Sequence, residues 1–186
     1  VRKSPVGLDD RHVFDKQTSN QASGLSEHER AWRSIEQVSE MMEGTEWASE
    51  FSWSQIQTLA KFIDCYVIEK GKFIVREGER DGEMILIVRG EVNIVKSDSS
   101  DTEKVIATLG QGKTFGEMSL IDGEPRSASA VALTDVTLLT LSKKNFTALI
   151  TQYPVLSVNL ILKISKMMSQ RLRQADGRLI EYLEEA

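Results

Sequence analysis

The hydrophobic pattern changes character twice along the chain. Over residues 1–25 apolar positions are scattered without period among Ser, Asp and Asn, and this stretch reads as a flexible lead. Ser26-Glu27-His28-Glu29 then has the form of a capping box, with a hydroxyl at the N-cap and a carboxylate three residues on. Ala31, Trp32, Ile35, Val38 and Met42 follow at helical spacing, which predicts an amphipathic helix over about 27–42 ending at Gly44. Ser54 with Gln57 is a weaker second start, continued by Ile56, Leu59, Ala60 and Ile63. Residues 26–64 are therefore expected to form N-terminal helices.

From about Tyr66 short runs rich in Val and Ile are punctuated by glycine: Val67–Glu69, Lys72–Arg76, Met84–Arg89, Glu91–Lys96, Val105–Leu109, Ala128–Leu133 and Val136–Leu141. The spacing predicts an antiparallel barrel or sandwich over residues 65–142. After Leu141 the period is helical again over residues 143–186: a short helix at Asn145–Gln152, then a long one from Pro154 toward Ala175. Along it Ile161, Ser165, Met168, Leu172, Ala175, Leu179 and Tyr182 alternate spacings of four and three, the seam of a coiled coil. Such a stripe serves either a parallel homodimer or packing on the chain's own β core. Its persistence over three heptads and the basic outer face favour the dimer, with Ile161, Met168, Leu172, Ala175 and Leu179 at the contact.

Composition narrows the function. The 186 residues, 40% hydrophobic and 27% charged, suit one globular domain. No apolar run approaches the ~18 residues of a membrane span, and the polar start has no signal-peptide core, so the expected location is cytoplasmic. Lys+Arg total 23 against Asp+Glu 28, and a net charge of -5 argues against a nucleic-acid surface over the whole domain. The single cysteine, Cys65, excludes an internal disulfide, a cysteine-bound zinc and an iron–sulfur cluster; its apolar neighbours predict a buried small hydrophobe. His12 and His28 both precede the β core, so no metal site is expected there and no cofactor is implied.

One segment carries chemistry. Phe115 to Ala130, Phe-Gly-Glu-Met-Ser-Leu-Ile-Asp-Gly-Glu-Pro-Arg-Ser-Ala-Ser-Ala, lies between two predicted strands after a Gly-Gln-Gly turn. Small residues let backbone N–H groups approach a ligand, and a helical turn at Glu117–Ile121 would aim its open N–H groups at an anion. Arg126 is a planar, permanently charged fork suited to phosphate. Glu117, nine residues earlier, would be repelled by that phosphate unless it accepted a hydrogen bond, and a sugar hydroxyl is the obvious donor. The residues alone equally allow a surface Arg–Glu ion pair around a tight turn.

The block closely resembles the phosphate-binding cassette of cyclic nucleotide-binding domains, the fold shared by the bacterial catabolite activator protein, cAMP-dependent kinase regulatory subunits and cyclic-nucleotide-gated channels. The resemblance spans about Ile56–Leu179, with the glycine pattern Gly71, Gly78, Gly90, Gly116 and the strand ending Thr134-Asp135-Val136. It implies a mainly β fold: an eight-stranded antiparallel β-roll, a jelly-roll-like barrel, with N-terminal helices and a long C-terminal dimerisation and lid helix. It further implies that Gly116 turns the backbone beneath the ligand and Glu117 accepts the ribose 2′-hydroxyl, while Met118 and Ser119 offer amides to the cyclic phosphate. Arg126 would pair with an exocyclic oxygen, Ser127 would add a hydroxyl or amide, Phe115 and Ala128 would complete the cassette, and Ile94 and Ile106 would face base and ribose. Ala175 and Asp176 stand where the activator proteins place hydroxyl residues against the base. Asp176 could accept from both guanine donors or simply be solvated, so cAMP and cGMP both stay open.

The expected function is a non-enzymatic cyclic nucleotide sensor that couples occupancy to the C-terminal helix, its effector unspecified. The alternatives are an interaction or scaffold module with an empty, degenerate pocket and, less favoured, a cupin-type metalloenzyme. Nine residues follow Gly177, too few for a DNA-reading module, so no DNA contact is expected of this chain. The basic stretch Lys163, Lys166, Arg171, Arg173 and Arg178 reads as a solvated helix face.

Overall fold

The computed structural model describes residue 25, residues 28–97 and residues 103–185. Eight antiparallel strands form two four-stranded sheets. In one, the order is β1 (Asp64–Ile68), β8 (Val136–Ser142), β3 (Glu83–Arg89), β6 (Thr114–Phe115); in the other, β2 (Phe73–Val75), β7 (Ser129–Ala132), β4 (Val92–Ser97), β5 (Glu103–Leu109). These are the antiparallel strands that the short glycine-punctuated runs predict, arranged as the two-sheet β-roll that the resemblance implies. Beyond them the structure adds β6, two residues long and too short to leave a periodic signal.

Strand β3 explains how the layers meet. Its unbroken run Met84-Ile85-Leu86-Ile87 is buried on both faces. Ile85 and Ile87 point into a cluster between the sheets, with Tyr66, Ile68, Ile74, Val92, Phe115, Ala132 and Leu138. Met84 and Leu86 face the other way, onto the helices, with Cys65, Leu139, Leu141, Leu149, Leu160 and Ile164. Burial pushes the Cys65 thiol up, as befits a packing residue. At the β3–β4 turn Gly90 holds φ 87°, and a Cβ there would overlap the Asp135 carbonyl.

The N-terminal helices begin later than the spacing predicts. Helix α1 is Ile35–Glu43, not 27–42, and its capping box is Ser34 with Gln37: Gln37 N–H donates to Ser34 Oγ at 3.1 Å and Ser34 N–H to Gln37 Oε1 at 3.0 Å. Ser26 and Glu27 of the expected box lie outside the described residues. Residues 28–34 instead run extended beside β1. Ala31 N–H donates to Cys65 O at 2.8 Å, His28 Nε2 hydrogen-bonds Phe73 O at 2.7 Å, and Arg30 pairs with Asp64 at 3.1 Å. Burial nevertheless pushes the Asp64 carboxyl above its usual range. Gly44 does cap α1. Helix α2 is Trp53–Ala60, capped by Ser52 with Gln55, two residues before the expected pair. The lead expected over 1–25 lies outside the described residues except Leu25, which is buried in the cluster between the sheets.

Helix α4 (Lys143–Gln152), capped by Ser142, leads into α5 (Pro154–Glu185), which continues past Ala175 and through Gly177. Leu156, Leu160 and Ile164 bury one stripe of α5 against the body, with Met167 and Met168 partly buried beside them. Met168 thus packs on the chain's own core, a correction to its place in the expected seam. Val155, Val158, Leu162, Leu172, Leu179 and Leu183 are exposed. Lys163, on the buried side, reaches the 3-10 turn Glu46–Glu50: its ammonium donates to Glu50 at 2.7 Å and stands 5.8 Å from the Trp47 ring centroid. That hydrogen bond holds the Glu50 carboxyl below the usual range. No helix among the described residues is long and apolar enough to cross a membrane.

Candidate functional site

The chain leaves β6 at Gly116, turns at φ 79°, and enters the short helix α3 (Glu117–Asp122). Gly116 is required twice over: the positive φ strains an L side chain, and a Cβ would overlap Arg126 Nη1 and Glu83 O. Gly116→Ala is therefore expected to cost roughly 1–3 kcal/mol of stability by chemical denaturation. A variant as stable as the parent would show that the guanidinium is not wedged against this turn.

Arg126 is 4% exposed and built in from several sides. Its N–H donates to Glu79 O at 2.8 Å and its carbonyl accepts from Gly78 N–H at 2.9 Å, which fixes the backbone to the β2–β3 loop. Nε donates to Asp81 Oδ1 at 2.7 Å; Nη1 donates to Glu83 O at 2.7 Å and to Gly116 O at 3.2 Å. Nη2 is buried with no partner. A guanidinium this well oriented, with one terminal nitrogen unused, has the chemistry to donate to an anion.

Glu117 is 3% exposed. Its Oε1 accepts from Arg171 Nη1 of α5, while its Oε2 is buried without a partner. Arg171 also reaches the Thr114 carbonyl, so α5 is tied to β6 and to the start of α3 at one point. The surface Arg126–Glu117 pair that the spacing allowed is not what forms: each side chain is buried and has its own partner of opposite charge, Asp81 for one and Arg171 for the other.

The remaining candidates divide. Ser119 is buried and Met118 half-exposed at the start of α3, where Leu120 N–H is the residue that reaches back to Gly116 O. Ser127 is exposed and Ala128 half-buried beside Arg126. Ile94 packs against the inter-sheet cluster. Phe115 is buried inside that cluster, a packing residue beneath the site. Ile106 sits at the register shift of β4 and β5, where Ile94 pairs with Ala107 and Val95 with Val105, and is half-exposed. Asp176 is exposed on α5, about 7–8 Å along the axis beyond Arg171.

Sequence reasoning passed over Asp81 and read Arg171 as part of a solvated basic face; Lys163 and Lys166 of that face pair with Glu50. A signal for Arg171 exists: it continues the stripe Leu156, Leu160, Ile164, Met167 at helical spacing, and so points at the body of the protein.

The class is that of two-sheet β-rolls lying under a long terminal helix. A crystal structure of a cyclic nucleotide-binding domain from Methylobacillus flagellatus aligns with a TM-score of 0.70 at 28% identity, covering 80% of this chain and 83% of that one. The Thermus thermophilus catabolite activator protein aligns with a TM-score of 0.63 at 32% identity, covering 72% and 61%. In sequence, residues 67–153 match the model of the Cyclic nucleotide-binding domain. Among curated relatives, the Cyclic AMP receptor protein of Thermus thermophilus is 38% identical over 110 residues, 59% of this chain and 49% of the relative. Human cGMP-dependent protein kinase 2 is 37% identical over 93 residues, 47% of this chain and 12% of the kinase. The chain thus spans about half, or much less, of the length of these relatives.

Proposed function

We propose that the chain senses a cyclic purine nucleotide, cAMP or cGMP, and passes occupancy of its pocket to α5. The observation that carries this reading is the pair of buried, partnerless atoms Arg126 Nη2 and Glu117 Oε2. An unused buried donor on a cation and an unused buried acceptor on an anion are costly to leave unpaired. A cyclic nucleotide brings the complement of each: an anionic exocyclic oxygen for the guanidinium and a ribose 2′-hydroxyl for the carboxylate. A deoxyribose would leave Glu117 Oε2 unpaired, which disfavours it. Met118 and Ser119 amides, the Ser127 hydroxyl and Ile94 supply the further contacts to phosphate and base, with Ile106 at the rim.

Glu117 divides its two oxygens between the helix and the ligand. Oε1 is held by Arg171 of α5 and Oε2 is buried without a partner, so a ligand that engages and shifts this carboxylate shifts the load on α5. Opening a cyclic phosphodiester takes metal ions or a base-activated water. Among the described residues no three His, Cys, Asp or Glu side chains are grouped to hold a metal. Titration calorimetry with cAMP, cGMP and AMP tests the proposal. Tight binding of one cyclic nucleotide in preference to AMP is expected; nothing tighter than about millimolar would favour the empty interaction module.

Ile161, Leu172, Ala175 and Leu179 support a homodimer through α5, since all face away from the core in a stripe shared with Val158 and Leu183. Leu172→Glu is expected to convert a dimer to a monomer in sedimentation. A parent chain that stays monomeric at high concentration rejects the seam.

A further inference from the structure

Strand β4 places Val92, Ile94 and Lys96 on one face by simple alternation. Val92 is fully buried and Ile94 packs on the inter-sheet cluster; the third place in this apolar series is a lysine. Its ammonium donates to the Ser127 carbonyl oxygen at 2.8 Å and stands 3.4 Å from Glu77 Oε1. Ser127 directly follows Arg126, so this second cation sits on the peptide unit one residue beyond the guanidinium's own residue. Half of the Lys96 side chain is exposed (50%), and a long flexible stem leaves the ammonium free to turn. Glu77 is fixed from elsewhere: its N–H donates to Ser129 Oγ at 2.9 Å. Across the strand pair Lys104 stands opposite Lys96, which adds to the local positive field.

The guanidinium has little left to give. With Nε on Asp81 and Nη1 shared by two carbonyls, Nη2 is the one terminal nitrogen without a partner. A cyclic phosphate presents two exocyclic oxygens, and one guanidinium nitrogen leaves the second without a side-chain cation. Resting on the cyclic nucleotide reading above, we propose that Lys96 is a ligand contact: on binding, its ammonium turns from the Ser127 carbonyl to the exocyclic phosphate oxygen that Arg126 leaves free. This makes recognition of the phosphate bidentate across two strands, Arg126 entering β7 and Lys96 on β4, and draws the anion to the mouth of the pocket.

The test is calorimetric titration of the cyclic nucleotides into the parent chain, Lys96→Met and Lys96→Arg at several salt concentrations. Lys96→Met is expected to weaken binding roughly tenfold at low salt. The deficit should shrink toward about 1 M salt, where the screening length falls to about 3 Å. Lys96→Arg should stay within about twofold of the parent. A parent chain that binds while Lys96→Met matches it at every salt concentration overturns the contact alone. A loss in Lys96→Met that does not vary with salt marks Lys96 as a tether between β4 and the cassette, and overturns it too. A parent chain that binds no cyclic nucleotide overturns the sensor reading and this contact with it.

Discussion

Arg126→Ala is expected to weaken cyclic nucleotide binding by about 3–5 kcal/mol, between roughly a hundredfold and a few thousandfold. Two losses combine. The ligand's phosphate enters a nearly water-free site without its counter-charge, and Asp81, whose side chain is 2% exposed, loses the guanidinium that compensates it. The second loss acts on the protein without ligand, so the variant should also melt lower. Adding Asp81→Asn to Arg126→Ala neutralises the buried carboxylate that has lost this ion pair and is expected to restore part of the melting temperature while leaving the affinity as poor as before. Calorimetry and thermal denaturation on the three proteins separate the roles. An Arg126→Ala protein that binds within about threefold of the parent would mean the phosphate lies elsewhere.

Arg171→Met carries the second large effect, and it concerns coupling more than affinity. The thioether stem keeps the apolar packing of the side chain but leaves both Glu117 oxygens without a partner at 3% exposure. The tie from α5 to the Thr114 carbonyl is lost at the same stroke. Amide exchange along residues 165–175 of the ligand-free variant should therefore quicken, because this point is where the second half of α5 is held to the roll. Ligand affinity should fall by about 1–3 kcal/mol, the usual cost of a charged hydrogen-bonded partner withdrawn from a buried group. In the parent chain, ligand should alter the exchange of this stretch; in Arg171→Met that change should vanish. An identical ligand response of α5 in both proteins would remove Glu117–Arg171 as the link.

The strand pattern could be read from sequence, and the candidate segment Phe115–Ala130 singled out, because both are local. Valine and isoleucine runs bounded by glycine need no distant partner to be recognised, and Gly116, Glu117 and Arg126 stand within one short stretch. What escaped depends on contacts across the chain. The form Ser-x-x-Glu/Gln occurs at Ser26, Ser34, Ser52 and Ser54, and local chemistry alone does not choose among them. The pairing of residues 28–34 with β1 excludes a helix there and hands the start of α1 to Ser34. Asp81 looks like any turn aspartate until Arg126 folds onto it from 45 residues away. On α5 two apolar stripes share one helix, and the outer one, with its heptad rhythm, drew attention from the inner one that ends in Arg171.

The lodging of the Lys163 ammonium beside Trp47 gives the molecule an optical gauge of its own. Trp47 is 6% exposed, whereas Trp32 and Trp53 are 74% and 39% exposed, so a soluble quencher silences those two indoles before it touches the first. The emission that survives comes from a ring whose electric field is set by a cation riding on α5. Movement of that helix is thereby written into the colour of the protein's own fluorescence, with no dye attached.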